Sequence, residues 1–199
     1  MRLTITLDDV IRAKTKQIGK IYKKHIDPSI ELETLDFSSD NFVNIFGFED
    51  EESYKTFLYT DYSYEIFAEA STTDKMIDKE LNLWHIRQIQ GKDYDEPLEL
   101  SLSNPFEYNQ SIGYTCFFLA KIATRIRNFF FPEKSIEIWD RSDVVITATP
   151  ALLKNKPEGK ISIKIETDYN KDLEADYTYK SLKEFLDDET IMEKLMNKE

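Results

Sequence analysis

Asp143, Glu158 and Lys160 come nearest, by type and spacing, to a reaction centre. An acid opening a strand, followed later by Glu-x-Lys, is the outline of a metal-dependent nuclease. Two carboxylates hold Mg²⁺ there while the lysine orients the attacking water. That chemistry needs Glu158 and Lys160 fixed on a strand, yet Pro157 and Gly159 flank Glu158 and mark a turn. With 38 acidic and 26 basic residues, such matches also arise by chance, and a solvated hairpin loop accounts for the same residues. Other templates are missing. His25 and His85 are the two histidines and belong to no His-Glu-x-x-His motif. Cys116, the single cysteine, lies in an apolar run where a thiol is inert and fills core. No two of the five glycines stand within five residues of each other, which excludes a Walker A loop and a dinucleotide fingerprint. The sequence implies no catalytic residue, no metal and no cofactor, and hence no enzyme.

Residues suited to contact are easier to find. Lys16, Lys20 and Lys24 share the polar face of the first helical segment with Arg12, Lys14 and Lys23. Residues 1–26 hold seven basic and two acidic side chains, a charge of +5 that leaves −17 for the remaining 173 residues. Such asymmetry fits a contact surface; it equally fits a lysine-rich face lying over an acidic body. Tyr54, Tyr59 and Tyr62 crowd one segment with Tyr64, Phe57 and Phe67, and Tyr169, Tyr177 and Tyr179 another. Tyrosine brings area and a polar handle to interfaces, and it also packs half-buried elements. The candidate interface residues are Lys16, Lys20, Lys24, Tyr54, Tyr59 and Tyr62.

The elements that position these residues follow from periodicity. Thr6-Leu7-Asp8-Asp9 has a capping-box pattern, and Val10, Ile11, Ile18, Ile21 and Tyr22 recur at helical spacing, predicting a basic amphipathic helix over 6–26 that Asp27-Pro28 ends. A helical middle spans 38–131. Ser38-Ser39-Asp40 and Asp50-Glu51-Glu52 open short helices in it, and residues 74–90 align Ile77, Leu81, Trp84 and Gln88. Gly91-Lys92-Asp93 makes a break, and Leu98, Leu100 and Leu102 alternate as a half-buried extended run. About Gln110 to Phe130 reads as a broadly apolar central helix stopped by Pro132. A β-rich part, 135–167, alternates at Ile136 and Ile138 and at Ile161, Ile163 and Ile165, with Asp143 to Thr149 β-branched between them. Ser181-Leu182-Lys183-Glu184 opens a C-terminal helix over 181–196. The expected fold is one α+β domain over 1–199. Its central apolar helix and N-terminal helix pack with a small antiparallel sheet.

Composition sets the surroundings. Apolar residues make up 41% and charged residues 32% of the 199, enough for one packed core and a solvated surface. A net charge of −12 argues against a general nucleic-acid coat. The apolar stretch from Tyr114 to Ala123 carries Lys121 and falls short of the roughly 20 residues of a bilayer span, and Asp8 and Asp9 interrupt any secretory leader.

The run Tyr114-Thr-Cys-Phe-Phe-Leu-Ala-Lys-Ile-Ala-Thr-Arg-Ile-Arg-Asn-Phe-Phe-Phe-Pro132 resembles the apolar helix and phenylalanine-rich break of head-to-tail adaptor, or collar, proteins of short-tailed bacteriophages. Asp93-Tyr94-Asp95-Glu96-Pro97 resembles the acidic run before that helix, and Ile5-Thr-Leu-Asp-Asp-Val10 is similar to the start of other head–tail connectors. The alternating strands from Ser135 to Thr167 depart from the adaptor pattern. The resemblance implies a structural virion protein, assembled in the host cytoplasm. It would form a homo-oligomeric ring between portal and tail or collar proteins, extending a channel that DNA passes without specific binding. An acidic regulator of a host protein and the Mg²⁺ nuclease are the alternatives.

Overall fold

Leu3, Ile5 and Leu7 alternate with Thr4 and Thr6, and both sets are fully buried. A strand buried on both faces is the centre of a sheet covered on both sides. The computed structural model of the protein describes residues 1–90, 98–105 and 109–197. Among them β1 (Arg2–Thr6), β2 (Glu99–Ser103), β3 (Phe129–Phe130), β4 (Val144–Thr147), β5 (Ile161–Ile165) and β6 (Tyr177–Tyr179) form a six-stranded sheet, ordered β3-β2-β1-β4-β5-β6. Every pairing is parallel. The expected α+β fold with a small antiparallel sheet is therefore corrected to a layered α/β fold. The expected helix over 6–26 is corrected too: Thr6 closes β1, and the helix α1 (Lys14–His25) begins only after a turn.

The two faces of the sheet differ in chemistry. Leu3, Ile5, Leu100, Leu102, Val144, Ile146 and Ile163 face one layer, covered by α5 (Ile77–Gln90), α6 (Asn109–Lys121), α8 (Leu182–Asp187) and α9 (Ile191–Asn197). Trp84, Phe118 and Phe185 are the large side chains those helices bring. The opposite face carries hydroxyls. Thr4 Oγ1 bonds Ser101 Oγ at 2.8 Å and Ser142 Oγ at 2.7 Å, and Thr6 Oγ1 bonds Thr147 Oγ1 at 3.1 Å. Hydroxyls that satisfy one another can be buried at little cost, so the polar positions of these strands do not face water. A 3-10 segment, Ser135–Arg141, and α7 (Pro150–Lys154) cover Val145 there through Ile138, Trp139 and Leu152. The strand expected at Ser135 to Trp139 is that 3-10 segment.

Two boundaries also move. The central helix stops at Lys121, not Phe130. Ala123 adopts a left-handed conformation (φ 48°), and Asn82 holds the turn by donating to Ala123 O and accepting from Arg125 N. The C-terminal helix is two helices, because the Asp188 carboxylate accepts from Thr190 N and Ile191 N and starts α9 afresh. The Gly91-Lys92-Asp93 break and the Asp93–Pro97 acidic run lie outside the described residues.

The chain between β1 and β2 builds a second core. α1, α2 (Phe42–Phe46), α3 (Glu51–Thr56), a π turn (Phe57–Asp61) and α4 (Ser63–Phe67) gather Ile18, Ile21, Tyr22, Phe46, Phe57 and Phe67. Asn41 caps α2 and an Asp50–Ser53 capping box starts α3. This helical cap meets the sheet at the loops after β1 and β5: Arg12 donates to Phe67 O, and the Tyr169 ring lies edge-on to Phe42 at 5.9 Å. Among the described residues no helix is long and apolar enough to cross a membrane.

Candidate functional site

In an open parallel sheet the strand order reverses at one point, and loops leaving the carboxyl ends there part to make a crevice. Here that point lies between β1 and β4. The loop after β1 carries the charged residues Asp8, Asp9 and Arg12, and Lys14 opens α1 behind it.

Asp8 and Arg12 form the buried part. Arg12 is wholly buried; its Nε and Nη2 donate to Asp8 Oδ1 at 2.8 and 2.6 Å. Its Nη1 donates to Phe67 O and Thr115 Oγ1, and its guanidinium lies near the Phe67 and Phe118 rings. Lys14 Nζ reaches Asp8 Oδ2 at 3.0 Å. Burial alone raises a carboxyl pKa, but Arg12 and Lys14 outweigh it and bring Asp8 to about 2. Burial opposes the charge on Lys14 in turn, yet Asp8 beside it keeps that ammonium above its ordinary range. The pair is mutually saturated.

Asp9 differs. It is held at φ 57°, left-handed and uncommon for any residue but glycine. Its carboxylate accepts from Thr15 N at 2.9 Å, Thr15 Oγ1 at 2.6 Å and Tyr169 OH at 2.9 Å. Burial is the largest influence and raises its pKa against those three donors, with Asp8 adding to the rise. Burial and the Asp9 charge push the Tyr169 phenol upward in step.

Asp9 lines a crevice of about 550 Å³ between cap and sheet, with Thr15 and Gly19 of α1, Leu32 and Phe37 of the cap, and Thr167 and Tyr169 after β5. Lys16, Lys20, Glu33 and Asp168 stand exposed around it. The β5 loop is fixed from within. Asn170 Nδ2 donates to Ala148 O and Ile165 O, and buried Lys164 donates to Lys171 O and Leu173 O. Thr167 Oγ1 is buried without a partner at the crevice.

Of the residues picked out in the sequence, the structure brings Lys16 and Lys20 together at this crevice. Lys24 pairs with Glu65 at 2.7 Å, beside His25. Tyr54 packs on Phe42 and Phe48, Tyr59 stacks on Phe67, and Tyr62 stacks on His25. Cys116, expected as core filler, is exposed on α6. Asp143 and Lys160 do meet, at 3.1 Å, but at the amino end of β4 and clamped by Arg2 at 2.8 Å. The Arg2 hydrogen bonds, with Lys160 behind them, hold the Asp143 carboxyl well below its usual range. Glu158 is exposed in the α7–β5 turn, where Gly159 has φ 75°. Sequence reasoning missed Asp8, Asp9, Arg12 and Tyr169. The signal was present in the Leu3-Ile5-Leu7 alternation running into two acids. Among the described residues no group of three or more His, Cys, Asp or Glu side chains is placed to hold a metal ion.

No family model matches this chain, and no curated protein matches it. A solved structure described as a putative haloacid dehalogenase-like hydrolase from Burkholderia xenovorans LB400 is similar, with a TM-score of 0.49 at 8% identity, over 96% of this chain and 96% of that one. At that identity the likeness is one of chain path. The phage-adaptor resemblance is corrected by the fold: the run from Tyr114 to Pro132 is most of α6, a turn and the edge strand of a parallel sheet. With it go the connector ring, its two alternatives and the expectation of a chain built without a reaction centre, because a parallel sheet with a lined crevice at its carboxyl edge is an architecture for small-molecule sites.

Proposed function

We propose that the protein binds a small organic molecule in the crevice between cap and sheet, with Asp9 as the group that meets its polar end. One observation carries this: a non-glycine residue sits in a left-handed conformation at the sheet's switch point, its half-buried carboxylate lining a cavity of about 550 Å³. Backbone strain of that kind costs on the order of 1–3 kcal/mol and persists where the surroundings demand it. The cavity volume falls in the usual range for small ligands.

The lining narrows the ligand class. A helix N-terminus commonly offers amides to an anion, but here Thr15 N already holds the Asp9 carboxylate. The inner end of the crevice therefore offers acceptors. Leu32, Phe37 and Ala13 suit an apolar or aromatic body, and Asp9 suits a donating head, an amine or a hydroxyl. A half-buried carboxylate with a raised pKa is also the group able to take or give a proton at that head.

The test is a panel of aromatic amines, alcohols and carboxylates titrated into the full chain, followed by amide NMR. Amines and alcohols should move the Thr15, Gly19 and Tyr169 amides, and Asp9→Asn should weaken the amines most. A panel that leaves those amides still, or amines that bind Asp9→Asn as well as the natural chain, would overturn the proposal.

A further inference from the structure

Lys16 and Lys20 line the crevice from α1, and they stand about one turn of that helix apart. Like charges at this spacing repel and weaken a helix. Nothing within α1 offsets them, because Lys14–His25 includes no acid. Lys24, the next in the row, is offset by Glu65 at 2.7 Å. Among the described residues neither Lys16 nor Lys20 has an ion-pair partner, and both are exposed. Two ammonium groups of one sign thus stand at the mouth of a cavity whose inner end holds the Asp9 carboxylate.

The helix also sets a length. Thr15 holds the Asp9 carboxylate through its backbone N–H, and Lys20 lies five residues further on. At a rise of 1.5 Å per residue the two levels are about 7.5 Å apart along the axis. Between them the lining residue is Gly19, which presents no side chain, with Leu32 and Phe37 as the apolar lining from the cap. Two acids line the crevice as well, Glu33 in the 3-10 turn Leu32–Thr34 and Asp168 after β5. They come from separate elements. Lys16 and Lys20 share one face of one helix, where both can meet the two oxygens of a single carboxylate.

On the premise that the crevice binds a small molecule through Asp9, we infer that this ligand has two polar ends. Its donating head meets Asp9, a flat apolar body lies along Gly19, and a carboxylate at the far end meets Lys16 and Lys20. An α-amino acid carries both groups on one carbon and cannot reach from Asp9 to the lysines. A para-substituted aromatic ring bridges a gap of that order.

Calorimetric titration of the full chain with four probes tests this: benzylamine and its para-carboxylate, para-carboxamide and para-aminomethyl derivatives. The carboxylate should bind about fivefold more tightly than the carboxamide, the sum of two exposed ion pairs. The para-aminomethyl probe should bind no better than the carboxamide. In about 1 M NaCl the advantage of the carboxylate should vanish, since exposed charges are screened there. It should vanish too in the double variant Lys16→Gln with Lys20→Gln, whose fold persists because both positions are exposed and glutamine suits a helix about as well as lysine. If none of the four probes binds, the crevice ligand itself is refuted and this inference falls with it. If benzylamine binds but the carboxylate gains nothing, keeps its gain in the double variant, or is matched by the para-aminomethyl probe, the two-ended ligand alone is overturned.

Discussion

The Tyr169 hydroxyl donates to Asp9 Oδ2 at 2.9 Å across 160 residues of sequence. One bond thus joins the loop after β5 to the loop after β1, and the same ring lies edge-on to Phe42 of the cap. Sheet, cap and crevice wall share a single side chain.

Tyr169→Phe keeps the ring and removes the donor. Asp9 is then left with Thr15 alone, at a cost of about 1–2 kcal/mol. The sign of its pH dependence follows from the direction of the Asp9 shift. Burial already holds that carboxyl above its ordinary value, and losing a donor raises it further. A raised carboxyl favours folding only while protonated, so the destabilisation grows as pH rises through the folded pKa. Urea unfolding at pH 3 and pH 8 should show the larger loss at pH 8; equal losses would mean that Tyr169 does not act on the carboxylate.

Asp8 behaves oppositely. Its pKa is brought from the ordinary 3.8 to about 2, so the ionised form favours the fold. That contribution, about 2 kcal/mol, is complete well above pH 4 and is lost as pH falls toward 2. Stability measured from pH 6 to pH 2 should decline less steeply in Asp8→Asn than in the natural chain, although the variant starts lower because Arg12 and Lys14 lose their acid.

Arg12→Met should be among the most damaging single substitutions, at about 3–5 kcal/mol, since it leaves the part-buried Asp8 with Lys14 as its remaining cation and takes the donor from Phe67 O and Thr115 Oγ1. Asp8→Asn combined with Arg12→Met removes both members of the closest pair and leaves only Lys14 without its acid. Chemical denaturation of both single variants and the double variant should show the double losing clearly less than the sum of the singles. Simple additivity would mean that the two side chains stabilise the fold independently.

What the sequence disclosed depended on whether a local pattern had one physical reading. Ile77, Leu81 and Trp84 recur at helical spacing and are buried on α5 as that spacing requires, and Asp50 caps α3. Val144–Thr147 and Ile161–Ile165 are the strands expected from β-branched and alternating residues. Their arrangement was not legible. Alternation of Leu with Ser or Thr reads as one dry and one wet face, as in an antiparallel sheet; Thr4, Ser101 and Ser142 instead bury their hydroxyls against each other. The same ambiguity hid the site. Thr6-Leu7-Asp8-Asp9 matches a helix cap, and only the partners of Asp8 and Asp9, brought from Arg12 and from Tyr169 far along the chain, reveal it as the turn leaving a central strand.

Gly19 offers a test that separates stability from binding. It lies within α1, where alanine favours the helix by about 1 kcal/mol over glycine. A Cβ there would come 3.2 Å from Leu32 Cδ2, close enough that Leu32 must give way. Leu32 is only half-buried and lines the crevice, so its side chain can turn into open volume. Gly19→Ala should therefore raise the melting temperature by a few degrees while narrowing the space that the apolar body of a ligand would fill. Thermal unfolding and titration of the amine probes should move in opposite directions: a firmer fold and weaker binding. A lower melting temperature would mean that Leu32 is locked in place, and unchanged probe affinity would mean that the ligand lies elsewhere than against this wall.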